Sequence, residues 1–167
     1  MKLFPFTRWL AALVLGASVA ACGGGSSDDS SEEEGSGTGL VGNWTTDIAR
    51  IMADNPSTFS GVRGSCSGPV NLVFKADGTF NQDLNGTCRF PEGITGTITL
   101  RSSGNYAATS EKITITNARN EGAITAGGVS TPISIIENGT ANYTIEGNVL
   151  TLRPNVSGAT VQRYTRS

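Results

Sequence analysis

Val70-Asn71-Leu72-Val73-Phe74-Lys75-Ala76-Asp77-Gly78-Thr79-Phe80-Asn81-Gln82-Asp83-Leu84 decides the fold. Val70, Leu72 and Phe74 recur at a period of two, which puts them on one face of a strand. Asp-Gly between two such runs is a strong hairpin signal. The grammar continues downstream. Asn85-Gly86 offers a second turn, and Ile94, Gly96, Ile98 and Leu100 share one face of the next strand. Ser103-Gly104-Asn105 turns into Tyr106-Ala107-Ala108-Thr109. Ile113 and Ile115 mark a further strand, and Ile133 to Ile136 is a short apolar run. Asn142 to Ile145, the turn Glu146-Gly147-Asn148 and Val149 to Leu152 form another hairpin, and Thr160 to Arg166 closes the chain. About eight to ten strands at this spacing predict an all-β domain. The expected form is a small antiparallel up-and-down β-barrel, with a β-sandwich as the alternative.

Upstream of the hairpin, one stretch changes period. Ile48, Ile51 and Met52 fall at helical spacing. Thr46 or Asp47 caps the start and Asn55-Pro56 ends it, so a short helix is expected over residues 46–54. The domain is expected to run over 40–167.

Residues 1–21 read as a targeting signal. Lys2 and Arg8 precede an apolar run from Trp9 to Ala21, shorter than the roughly 20 residues that span a bilayer as a helix. The run ends in Val19-Ala20-Ala21-Cys22, which resembles the bacterial lipobox. The resemblance implies cleavage before Cys22 and acylation of its thiol. Two or three acyl chains anchor a protein stably where one does not. Gly23 stands where such proteins often carry an inner-membrane retention aspartate, so the expected address is the outer membrane of a bacterial envelope. Residues 22–39 are read as the lipidated cysteine and a Gly/Ser/acidic tether, because no side chain from Gly23 to Gly39 is apolar enough to offset the entropy of ordering.

Charge and cysteines narrow the partners. Of 12 basic residues, Lys2 and Arg8 leave with the signal; of 14 acidic ones, Asp28, Asp29, Glu32, Glu33 and Glu34 sit in the tether. The domain is therefore near neutral, with no basic field to attract nucleic acid. With Cys22 acylated in an oxidising compartment, Cys66 and Cys88 are left to form one disulfide.

The domain opens with Gly42-Asn43-Trp44, continues with Phe74-Lys75-Ala76-Asp77-Gly78-Thr79-Phe80, then Tyr143-Thr144-Ile145-Glu146-Gly147-Asn148-Val149-Leu150-Thr151-Leu152, and ends Tyr164-Thr165-Arg166. In this order the segments resemble the small bacterial lipocalin-like domains. The resemblance implies a barrel in which Trp44 seals one end and Arg166 (or Arg163) lies over it, with Gly42 beside them. It also implies an interior that takes an apolar or amphipathic small molecule, with Leu72, Phe74, Ile98 and Ile115 among the lining residues. It confers no catalytic residue. The stretch from Thr46 to Gly61 is longer than the usual opening of such domains.

Catalytic and metal chemistry have little to build on. The chain has no histidine, which removes the usual general base and the commonest metal ligand. Lys75 and Lys112 fall on polar faces of alternating strands, where a Ser–Lys pair is not expected. Asn81, Asp83, Asn85, Gly86 and Glu92 match positions of a calcium loop. Yet the first ligand is Asn, Pro91 precedes the glutamate, the flanks read as strands and Cys88 lies inside. No metal, no cofactor and no enzyme activity are expected. Two functions from different classes remain. The first is a small-molecule-binding barrel near the membrane. The second is a side-chain-filled barrel that contacts another envelope protein.

Overall fold

The computed structural model describes residues 39–57, 64–156 and 158–167. The signal segment, Cys22 and the tether as far as Thr38 lie outside the described residues. Among the described residues the elements run β1 (Gly42–Asp47), α1 (Ile48–Asp54), β2 (Ser65–Ser67), β3 (Pro69–Phe74), β4 (Thr79–Arg89), a 3-10 turn (Pro91–Gly93), β5 (Thr95–Ala108), β6 (Lys112–Ala126), β7 (Val129–Glu146), β8 (Val149–Pro154) and β9 (Gln162–Arg166).

Each strand pairs antiparallel with its neighbour, β4 pairs with β5, and β9 returns to β1 through Trp44 opposite Arg166. The result is a closed eight-stranded up-and-down barrel with one short helix, not a sandwich; β2 adds a short pairing to the end of β4. Closure is the reason an all-β chain of this size needs no second sheet: it pairs the edges that an open sheet would leave bare, apart from the first half of β7. Inward residues alternate with outward ones as the period-two pattern requires. Val70, Leu72, Phe74, Phe80, Leu84, Leu100, Ile113, Ile115, Leu150 and Leu152 join one core with Trp44 and Tyr164. Among the described residues no helix is long and apolar enough to cross a membrane.

The helix forms where the sequence places it, one residue after Asp47. Asp47 Oδ1 accepts from the Ala49 amide at 2.7 Å and caps α1. Its Oδ2 accepts from the Gly68 amide at 3.1 Å, so one carboxylate ties the helix start to the break between β2 and β3. Ile48 and Ile51 are buried, and the helix lies over one end of the barrel, here the helix end. The opposite end holds the β3–β4 and β7–β8 turns and the Trp44–Arg166 pair.

Several expected turns are strand instead. Asn85-Gly86 does not turn: β4 stays extended to Arg89 and pairs with β5 throughout. Gly86 is there for space, because a Cβ on it would come within 2.3 Å of Ile48 Cδ1. Ser103-Gly104-Asn105 also stays in strand. The register of β5 against β6 shifts there, and a Cβ on Gly104 would lie 2.9 Å from Ala118 Cα. Both glycines mark close approach within a sheet rather than its end. Ile94 precedes β5 and is 41% exposed, so it does not share the buried face of Ile98 and Leu100.

The largest departure is the β6–β7 hairpin. Residues 117–126 carry no clear alternation in the sequence, yet β6 runs through them. The strand absorbs a bulge at Asn117, which takes φ 54° and whose amide donates to Asn138 Oδ1 at 2.7 Å. Gly127 and Gly128, at φ 57° and 81°, then close the hairpin with the mirror-image turn that suits twisted strands.

Candidate binding site in the barrel lumen

The two ends of the barrel are built differently. At the Trp44 end, the Arg166 guanidinium lies 4.3 Å from the indole centroid. It donates to the carbonyls of Val41 and Gly39, while Trp44 Nε1 donates to the Leu40 carbonyl at 2.8 Å. Gly42 takes φ 145°, and a Cβ there would meet Arg166 Nη1 at 2.8 Å. Glycine at this position is what lets the arginine lie flat across the end. Arg163 is not part of this lid; it pairs with Asp54 of the helix at 3.2 Å.

The helix end has an uneven rim. β5, β6 and β7 are 14, 15 and 18 residues long, whereas β8 and β9 have 6 and 5. β8 pairs with β7 only from Ala141 to Glu146. The tall wall therefore stands past its neighbour. Its inner face carries Ile98, Ile124 and Ile133 toward the core, with Val129 and Ile135 exposed at 69% and 41%. The Cys66–Cys88 disulfide joins directly opposed residues of β2 and β4 at this same end, and Cys88 packs in the core.

Leu72, Phe74, Ile98 and Ile115 all face inward, and each is at most 6% exposed. They pack with one another's neighbours in a single cluster. Phe74 lies 4.9 Å edge-on to Tyr106 and 6.3 Å from Phe80. Side chains of the protein itself thus fill the Trp44 end of the interior, and Val70, Leu84, Leu100 and Ile98 continue the same core toward the helix end.

Nearer the helix end, a polar belt crosses the inner wall. Gln82 stands opposite Ser102, and Ser102 opposite Asn120; Glu137 stands opposite Ala118, on the diagonal from Asn120. Across the lumen, Gln82 Nε2 donates to the Tyr164 hydroxyl at 2.9 Å, and that hydroxyl donates to Gln162 Oε1 at 2.6 Å. Burial raises the Tyr164 pKa well above the ordinary tyrosine range, so the phenol keeps its proton. Three other atoms of the belt have no partner: Ser102 Oγ, Asn120 Oδ1 and Glu137 Oε2, although Ser102 and Asn120 are only 3% and 1% exposed. Leaving such an atom unsatisfied costs roughly 1–3 kcal/mol, so three on adjoining strands need an explanation. Desolvation also raises the Glu137 pKa above the usual carboxylate range.

None of these belt residues stood out in the sequence as a site. Gln82 was visible in principle: it occupies an inward slot between Phe80 and Leu84. Ser102 likewise follows Ile98 and Leu100 at the same period. Asn120 gave no signal, because the bulge at Asn117 shifts the phase of β6, whereas Glu137 keeps the inward phase of Tyr143 and Ile145 on β7.

The calcium-loop residues do not form a loop. Asn81, Asp83 and Asn85 line up on the outer face of β4, and Asp83 accepts from Arg101 Nε at 3.1 Å. Among the described residues no group of three or more His, Cys, Asp or Glu side chains could hold a metal ion. Lys75 and Lys112 are exposed. Compared with protein-family models, curated proteins and solved structures, the chain matches none of them.

Proposed function

We propose that this chain is a lipid-anchored protein of the bacterial envelope, without catalytic activity, whose barrel takes an amphipathic small molecule at the helix end. The observation that carries this reading is the belt of unpartnered polar atoms on Ser102, Asn120 and Glu137, set beneath the apolar inner face of the tall wall. A polar group of the ligand would satisfy the belt. Its apolar part would lie against Ile124, Ile133 and Ile135. Barrel mouths are common ligand sites, and a mostly apolar wall with few convergent polar groups is their usual chemistry. The lipobox-like Val19-Ala20-Ala21-Cys22 supports the anchor.

Native mass spectrometry of the mature chain from an exporting host tests both parts. The expected spectrum shows the mass of acyl chains on Cys22 and a further mass that disappears on denaturation. A chain that carries no acyl mass overturns the anchor, and one that never carries the second mass overturns the binder.

A second reading rests on a different feature. From Val129 to Gly139, β7 has no strand on its outer side among the described residues. Ile136, at 66% exposure, stands on this open edge. A protein partner that adds a strand there would make the domain an interaction module instead.

A further inference from the structure

We infer that the lumenal belt selects a cationic, hydrogen-bond-donating head group, of the primary-amine class, over an anionic one. The inference rests on the reading of the lumen as a binding site and adds the chemistry of what it takes.

Asn120 Oδ1 and Glu137 Oε2 accept only, and the Ser102 hydroxyl both donates and accepts. The Asn120 amide nitrogen already points at the Ala118 carbonyl, at 3.5 Å. Gln82 of β4, beside Ser102, donates to the Tyr164 hydroxyl, and Tyr164 donates to Gln162. The unpartnered atoms are thus two acceptors and one hydroxyl. An alkylammonium has three donors and no acceptor, which fits three acceptor atoms on adjoining strands.

Charge points the same way. Arg101, Arg119, Arg153 and Lys112 are on outward faces of their strands. Arg163 pairs with Asp54, and Arg166 lies at the far end over Trp44. Among the described residues Glu137 takes part in none of the ion pairs. A carboxylate or phosphate head placed here would be buried against a like charge with no counter-ion. An ammonium would instead gain a charge-assisted hydrogen bond to Glu137.

The test is isothermal titration of the full chain at neutral pH with hexylamine, hexanol and hexanoate, all soluble enough to leave detergent around the lipid anchor undisturbed. Hexylamine is expected to bind about ten-fold more tightly than hexanoate. Glu137→Gln is expected to lower hexylamine affinity by about ten-fold and leave hexanol affinity unchanged. Asn120→Leu is expected to weaken hexylamine and hexanol alike. The inference falls if hexanoate binds as well as hexylamine, or if Glu137→Gln does not change amine affinity. If none of the three binds the unaltered chain, the lumen is not a binding site and the function proposed above falls with the inference.

Discussion

Asn55 and Val161, 106 residues apart, are joined by a two-way amide contact: Asn55 Nδ2 donates to the Val161 carbonyl and Asn55 Oδ1 accepts from the Val161 amide, both at 2.7 Å. The same Nδ2 donates to the Ile51 carbonyl at 2.7 Å. One side chain thus ends α1 and pins the approach to β9. Asn55 is buried, so truncation leaves three backbone groups, one buried and two part-buried, without their partner. Asn55→Ala is expected to cost about 3 kcal/mol in chemical unfolding, and Asn55→Asp, which keeps the acceptor alone, to recover only part of it.

Arg166 closes the other end. Arg166→Ala is expected to lower stability by about 1–2 kcal/mol through loss of the indole contact. Arg166→Lys should restore less than half, because an ammonium lacks the planar face that stacks and the fork that reaches both carbonyls. Urea unfolding monitored by indole fluorescence reads both effects, since Trp44 is the tryptophan of the described domain.

Glu137 makes a prediction with a definite sign. Burial raises its pKa in the folded state, so ionisation opposes folding. Stability attributable to this group is whole below the usual glutamate range and declines as pH rises from there through the raised folded value. Glu137→Gln should therefore melt higher than the parent at neutral pH, and the gap should close in acid. A variant that is less stable at neutral pH would show that Glu137 has a partner that outweighs its burial.

Pro132 guards the open edge of β7. The Asn155 amide donates to the Thr140 carbonyl on the β8 side, so alternate residues counted back from Thr140 point their backbone groups that way. Pro132 falls in that row and interrupts its donors, as proline on edge strands does. Pro132→Val restores the donor and raises β-propensity. The variant is expected to self-associate at concentrations where the parent is monomeric, as read by sedimentation velocity.

Much of the barrel was legible because its inward residues are large and its alternation unbroken. Val70, Leu72 and Phe74 with the Asp77-Gly78 turn were enough for the β3–β4 hairpin, and Tyr143 to Leu152 for β7–β8. Two of the misreadings share one cause. Gly86 and Gly104 look like turns in a string of letters, yet each sits in mid-strand because another element comes too close for a side chain. That constraint is tertiary and has no local signature. The tall wall was hidden similarly: the bulge at Asn117 breaks the period, and Gly122, where a Cβ would meet the Thr99 carbonyl at 2.0 Å, weakens what alternation remains. The polar belt follows from that wall, so it could be half seen at best.

The seam between β1 and β9 has a consequence for how the molecule is made. β1, the first strand of the barrel, can find its last neighbour only when β9 has appeared. Every other pairing joins strands close in sequence and can form as the polypeptide emerges, whereas this one joins the first and last strands of the barrel and is slow for that reason. Until β9, a strand of five residues, slots between them, β1 and β8 both present bare edges. A chain cut short by a few residues would stay in that half-built state, with two sticky margins in place of a seam.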